Sequence, residues 1–595
     1  MADRGSVFSE PARLLLFRIK NEESALIRGS VVVFSSREQP LPNGDKRSRC
    51  TAGSAFSEGE SRAVHLAISE RQRPGVPLFR LRRKWIAPTM IRFLVLQFCE
   101  RKQRTTMRLA QKGTLVFAAA AVIVVALFQT EAAGQQPADA EMVAAIRGEE
   151  LRHSTAAELF YTLTDSLGPR LSGSPSYDKA ARWALERLRQ WGLANPHLEP
   201  FKLGRAWTLE KLTTEMTAPR YMPLLAYAEA WSPSTSGVVT GTPVYVGDST
   251  AEEIDALGSR LSHAIVLTAR PQTEYLRKDR PEPSQGDGPV RTGNPPFPGP
   301  SSRLPQRELL ARLRKYEAGV ALAPSATLHG TVRVQGSPAT AADAVPTVTV
   351  AAEQYNMLVR LVKAGEPVEL RIQVISRSNQ DRLYSDNILA EIPGTDPVLK
   401  DEVVLVGAHL DSWHTATGAT DNADAVSAAM EALRILTALH ARPRRTIRVA
   451  LWGGEEQGLV GSRAWLAQHL NDKAARDRIS VYLNDDPGTG PTYGFYMENN
   501  VAAKKIFDAW LTPLADLGMR RNVIEGIGST DHVPFVEAGV PAFTTIKDFS
   551  NYDVRTRHTN ADYADAVKIE DVQQSAVVLA VFAWHAAMLE QRIPH

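Results

Sequence analysis

The chain has 595 residues, 44 % hydrophobic, 23 % charged and 7 % aromatic, which leaves room for roughly three or four domains and excludes a small disulfide scaffold, wholesale disorder and coiled-coil or collagen-like architectures. Of the 69 Lys/Arg and 66 Asp/Glu, 20 and 10 fall in residues 1–106, so the remainder carries a net charge of −7 and the overall +3 implies no nucleic-acid partner. Both cysteines, Cys50 and Cys99, lie in that basic stretch, so thiolate chemistry is unavailable to everything after it.

Residues 107–133 begin with Met107, carry Arg108 and Lys112, continue through an uncharged apolar run from Leu115 to Phe128 and end in small residues. That order is a secretory signal peptide, with cleavage near Ala132 or Ala133. The apolar run is short of the ~20 residues of a membrane span. The pattern predicts Met107 as the biological start, residues 1–106 as a non-native, disordered upstream extension, and a mature protein that is secreted or periplasmic with no stable membrane span.

Helical spacing runs from Ala140 to about Trp207, in AAELFYTLTDSL and in YDKAARWALERLRQWGL closed by Gly192, with GPRLSGSPS as a loop between them. From about Pro223 to Arg377 short runs such as GVVTGTPVYVG, HAIVLTA, VPTVTVA and VELRIQVI predict a small β-rich domain. Its polar, Pro/Gly-rich insert near Arg280–Pro305 is expected to be a flexible loop. From Asn387 onward VVLVG (403–407), IRVALW (447–452) and ISVYL (479–483) predict strands buried on both faces. The connecting segment DAVSAAMEALRILTALH places Val426, Met430, Leu433 and Leu436 on one helical stripe, with Asp424 as an N-cap. LAVFAWHAAMLE near the C-terminus is expected to be an amphipathic packing helix. Strand, helix, strand in this order predicts an α/β fold with a mostly parallel sheet flanked by helices.

Sites in such sheets lie beyond the carboxyl ends of the strands. The segment after each predicted strand is rich in acidic and imidazole side chains: His409 and Asp411 in AHLDSW, Glu455 and Glu456 in GGEEQG, Asp485 and Asp486 in NDDPGTG, with Asp421 in GATDNAD and His558 in TRHTNADYAD. Several uncompensated carboxylates in one place repel one another and cost several kcal/mol each to desolvate. A cation relieves this, and without cysteine the remaining donors are imidazole nitrogen and carboxylate oxygen, a set suited to zinc. Five ligands exceed one tetrahedral ion but suit two ions about 3.5 to 4 Å apart sharing a carboxylate. Such a pair would lower the pKa of a bridging water, leaving one unligated carboxylate to move protons. Spacing alone leaves Glu455 and Glu456 interchangeable as ligand and base.

The strings GPRLSGSP, VGAHLDSW, GATDNADAVSAAMEALRIL, LWGGEEQGLVGS, NDDPGTG, STDHVPFVEAGVPA and RHTNADY, in this order, resemble metallopeptidase family 28, the co-catalytic di-zinc exopeptidases, and most closely its carboxypeptidase Q branch. The resemblance implies that His409 and Asp486 bind one zinc, that Glu456 and His558 bind the other, and that Asp421 bridges them. It implies Glu455 as general base, Asp411 as the acceptor of the His409 imidazole's other N–H, and a non-proline cis peptide at Asp421-Asn422. Asp485 competes with Asp486, and the adjoining PGT favours Asp486. Asp531 is expected near the substrate and Tyr552 as a donor to the oxyanion. The middle segment resembles a protease-associated domain. The expected organisation is therefore 140–222 as the N-terminal part of the catalytic domain, 223–378 as the protease-associated domain and 379–595 as the di-zinc peptidase domain. Expected partners are a peptide substrate and, in a homodimer, a second copy of the chain.

His414, His440, His469 and His585 are read as residues without chemistry and His532 as a structural loop residue. No Gly-x-Ser-x-Gly elbow, His-Glu-x-x-His or Gly-x-Gly-x-x-Gly occurs where a serine hydrolase, one-zinc peptidase or dinucleotide enzyme needs it. Terminal-bond hydrolysis of short peptides, by a carboxypeptidase, dipeptidase or leucyl-type aminopeptidase, is the expected function, and a metal-free binding ectodomain is the remote alternative.

Overall fold

The computed structural model describes residues 139–283, 291–292, 295–338, 345–379 and 381–595. The upstream extension and signal peptide expected at 1–133 lie outside them. Among the described residues no helix is long and apolar enough to cross a membrane.

The main sheet has seven strands in the order Ala194–Lys202, Tyr384–Ile392, Thr446–Trp452, Val403–His409, Ile479–Asn484, Ala542–Asp548 and Thr489–Tyr496. The four successive strands from Thr446–Trp452 to Ala542–Asp548 pair in parallel, and the outer pairings are antiparallel. This is the predicted α/β class, though the sheet is mixed rather than mostly parallel, because antiparallel strands are added at both of its edges. The parallel strands are β-branched and apolar because both faces are covered: one by the helices carrying Leu159, Ala184, Val426, Leu433, Phe507 and Phe582, the other by Trp465, Phe535 and Val540.

Two helices depart from the expected amphipathic pattern. Asp424–Ala438 is buried at every position from Asp424 to Leu436, and Ile569–Met588 at every position from Ser575 to Ala587, because they pack on each other as well as on the sheet. Asp424 is not an N-cap; Ala423 holds that position, and the Asp424 carboxylate instead meets Lys547 at 3.0 Å.

The N-terminal region is helical only to Gln190. Ala194–Lys202 is an edge strand, not the end of a helical stretch; Pro196 and Pro200 are tolerated because an edge strand has unpaired positions. From its end the chain passes into a second body. Ala206–Ala218 pairs along its length with Glu369–Asn379, and this four-stranded sheet faces a five-stranded one, in the order Ala226–Ala228, Thr347–Val350, Val320–Pro324, Ile265–Leu267 and Val244–Tyr245. Met216, Leu267, Leu322, Val348, Tyr355 and Ile372 form a core shared by the two sheets. The β-rich body thus begins near Ala206, earlier than the expected residue 223. Arg280, placed by the sequence in a flexible loop, is buried in an ion pair with Asp553 at 2.6 Å.

A buried ionic group holds the rim of the main sheet, and a second braces the helix Asp424–Ala438 further along. Lys547 Nζ lies 3.0 Å from Asp424 and 3.1 Å from Asp485. Burial pushes the Asp424 carboxyl up to about 6 despite that cation. Further along the same helix, Arg434 bonds Glu149 and Glu431, both at 2.8 Å, while burial and the nearby Glu431 push Glu150 up to about 8.

Lys547→Met strands two buried carboxylates and is expected to cost about 3–5 kcal/mol, read as a lower denaturant midpoint. Glu150 keeps its proton in the folded chain between the ordinary carboxyl range and about 8, where the unfolded chain has lost it, so its contribution to stability falls as pH rises through that window. Glu150→Gln should therefore leave the melting temperature near wild type at pH 4 to 5 and raise it progressively toward pH 8.

Candidate metal centre

The sheet's carboxyl rim brings the predicted residues together. His409 is the last residue of its strand, in register with Trp452 on one side, while Asp485 and Asp486 come directly after Asn484 on the other. Glu455 and Glu456 are reached from Trp452 through Gly453 and Gly454. Gly453 permits the close approach of Tyr177, whose hydroxyl would stand 2.2 Å from an added Cβ. Asp421 sits in a turn after Gly418, which has a φ of +61°; the Asp421-Asn422 and Asp486-Pro487 peptides are both cis.

Two triads result. His409, Asp421 and Asp486 form one, Asp421, Glu456 and His558 the other, with the donor atoms of each within 4.8 Å of one another. His409 Nε2 is 3.3 Å from Asp421 Oδ1 and 3.9 Å from Asp486 Oδ2. His558 Nε2 is 3.3 Å from Asp421 Oδ2 and 2.9 Å from Glu456 Oε2. Asp421 thus turns one oxygen to each imidazole. A separation of about 3.3 Å is the donor-to-donor edge of a tetrahedron with bonds of ~2.0–2.1 Å. Glu456 Oε1 is buried with no hydrogen-bond partner, so it has an acceptor position to offer a cation. The nitrogen and oxygen donors, their spacing and this orphaned atom fit zinc.

The electrostatics reflect crowding. Burial would raise the Asp421 carboxyl, but hydrogen bonds from His409 and His558 hold it well below the usual range. Burial works against a proton on His409, yet Glu455, Asp411, Asp421 and Asp486 raise it well above an ordinary imidazole. Asp486 is pushed up to about 6 and Glu455 well above the carboxylate range, in both cases first by burial.

Neighbouring groups fix these side chains. Asp485 accepts from Thr545 at 2.6 Å and pairs with Lys547, so it turns away from the imidazoles that Asp486 faces. The expected role of Asp411 is divided: its backbone carbonyl accepts the His409 Nδ1 proton at 3.0 Å, while its carboxylate, 3.7 Å from Nδ1, accepts the N–H groups of Glu455 at 3.2 Å and Glu456 at 3.3 Å. Tyr552 is buried beside Asp421 and Asp486, which with burial raise its hydroxyl pKa. Asp531 is buried, accepts from Ser462 and is pushed up to about 7 by burial, but its Oδ2 has no partner. His532 bonds Glu498 at 2.9 Å, and His414, His469 and His585 bond Ala228, Glu199 and the Asp139 N–H; none joins the cluster.

Four supporting residues were not singled out by sequence. Buried Arg170 donates to the carbonyls of Leu163, Gly168, Leu410, Thr417 and Gly418, tying the Asp421 turn to the N-terminal segment. Asp562 Oδ1 accepts the Thr420 N–H at 2.7 Å and its hydroxyl at 2.8 Å. Trp413 Nε1 donates to Glu456 Oε2 at 2.7 Å, and Arg333 approaches His558 Nδ1 to 3.0 Å. Arg170 and Asp562 fall inside quoted motifs, but nothing in their spacing separates a clamp from a surface charge.

Residues 387–583 match the model of peptidase family M28. Carboxypeptidase Q of Bos taurus is 27 % identical over 434 residues, 73 % of this chain and 85 % of that protein. A peptidase M28 precursor from Shewanella amazonensis SB2B superposes with a TM-score of 0.58 at 22 % identity, over 77 % of this chain and 98 % of its own. BSAP, a zinc aminopeptidase from Bacillus subtilis, gives 0.51 at 20 % identity over 73 % and 95 %. Over residues 387–583 the chain thus resembles peptidase family M28, and over 73 % of its length it is similar to carboxypeptidase Q.

Proposed function

We propose that the chain is a secreted or periplasmic di-zinc exopeptidase that hydrolyses terminal peptide bonds of short peptides or dipeptides. The observation that carries this reading is Asp421, with its two oxygens turned to two imidazoles that each face a further carboxylate. His409, Asp486 and Asp421 would hold one zinc, and Asp421, Glu456 and His558 the other. When bound, the ions would polarise the scissile carbonyl and make water nucleophilic at neutral pH.

The remaining steps belong to the chain. Asp411 orients the centre: its carbonyl keeps the His409 proton on Nδ1, leaving Nε2 free to ligate, and its carboxylate anchors the backbone of Glu455 and Glu456. Glu455 is the general base, taking a proton from the attacking water and passing it to the departing amine. Its carboxyl, raised by burial and by Asp486, Glu456 and Asp531, holds that proton readily between the two transfers. Tyr552 would donate to the developing oxyanion, and Asp531 would stand near the substrate. Export rests on the signal-peptide pattern at 107–133.

Glu455→Ala should retain zinc and lose about 10³-fold or more in kcat on a dipeptide. Near-normal turnover in zinc-loaded Glu455→Ala would remove it from the role of base. Asp421→Ala should lose both ions in elemental analysis and Asp486→Ala at least one. Asp485→Asn should keep full zinc occupancy and lose stability instead.

A further inference from the structure

Arg333 is carried to the metal-facing rim by the β-rich body. Its backbone is pinned there: Asn560 Oδ1 accepts the Val332 N–H at 2.7 Å, the His558 carbonyl accepts the Val334 N–H at 3.4 Å, and Arg333 itself forms an antiparallel bridge with Thr559. The guanidinium lies against the site. Nη2 is 3.0 Å from His558 Nδ1, Nη1 donates to Gln335 Oε1 at 3.2 Å, and the Phe297 ring centre is 3.9 Å from its carbon.

Glu456, Glu229 and Asp421 favour the charge of this cation without forming an ion pair with it. Among the described residues no carboxylate is within ion-pair distance of Arg333, and its Nε is buried with no partner. Burial and the nearby Arg557 push it down to about 10. A guanidinium has five N–H donors and no acceptor. When His558 ligates through Nε2 its proton stays on Nδ1, so Nδ1 meets Arg333 as donor against donor and Nη2 is released for another acceptor. His558 lines a small pocket with Asp421 and Glu456, while Arg333, Gln335 and Phe297 form part of the wall of a cavity of about 1190 Å³ on the other side of that imidazole contact. Room and a buried guanidinium with an unused donor together ask for an anion.

We propose that Arg333 binds a carboxylate of the substrate and so determines which peptides the enzyme accepts. The proposal rests on the peptidase reading above. A peptide's backbone carboxylate is at its C-terminus, always on the amine-leaving side of the scissile bond. Arg333 is one imidazole away from the second triad, a span that one or two extended residues of roughly 3.5 Å each cover. An Asp or Glu side chain on the leaving residue is the other source of the same group.

The test compares kcat/KM of the zinc-loaded full chain on alanyl-alanine, alanyl-alaninamide and alanyl-glutamic acid α-amide. Wild type should prefer a carboxylate-bearing substrate over the plain amide by about tenfold or more, chiefly through KM. A gain on the free acid identifies the terminal carboxylate, and a gain on the glutamic amide identifies the side chain. In Arg333→Gln the preference should shrink to within about twofold, with Arg333→Lys intermediate because it keeps the charge and loses the fork. General damage to the centre lowers all three rates together and leaves the ratio intact. A second readout is calorimetric binding of leucine against leucinamide, where Arg333→Gln should erase the difference. Equal kcat/KM on all three substrates in wild type, or an unchanged ratio in Arg333→Gln, overturns the proposal. Failure of the zinc-loaded wild type to cleave any of them overturns the peptidase reading itself.

Discussion

Repulsion among carboxylates gathered at one rim of one sheet is the constraint that organises this molecule. Parallel strands end together, so their succeeding loops crowd their side chains into a common space. The fold meets the crowding in two ways. Asp424 and Asp485 face inward to Lys547, so these acids are neutralised by a cation of the chain itself. Asp421, Asp486 and Glu456 face two imidazoles across gaps of 2.9 to 3.9 Å instead, and among the described residues no lysine pairs with them. Adjacent residues, Asp485 and Asp486, fall on opposite sides of this division.

Much of the centre was legible because its positions follow from strand ends. Runs such as VVLVG and IRVALW read as buried strands, and the residues after them had to share a rim. The choice between Asp485 and Asp486 was not legible from spacing, since it depends on Lys547, a residue some sixty positions away in sequence. Arg280 was misread for the same reason: its neighbours look like a polar loop, and only Asp553, 273 residues on, makes it a buried residue. The division of Asp411 between a carbonyl and a carboxylate role also lies below what residue type can convey.

The errors in secondary structure have a common origin in packing. A stripe of apolar residues was visible on Asp424–Ala438, but a helix lodged between a sheet and a second helix is buried all round, and small residues such as Ala425, Ala428 and Ala429 carry no directional signal. The strand Ala194–Lys202 was hidden by its prolines, which only its place at the sheet edge makes tolerable. The beginning of the β-rich body at Ala206 was hidden because its partner, Glu369–Asn379, lies at the far end of that body.

That pairing has an evolutionary consequence. Lys202 stands opposite Tyr384 in the main sheet, and Ala206 opposite Asn379 just beyond it, so the chain leaves and re-enters through a single two-stranded stalk. A hairpin turn at the stalk could replace everything above it without rethreading a strand below. Lineages can therefore acquire, shed or trade the upper body as a unit while the rim that gathers His409, Asp421, Glu456, Asp486 and His558 is inherited intact.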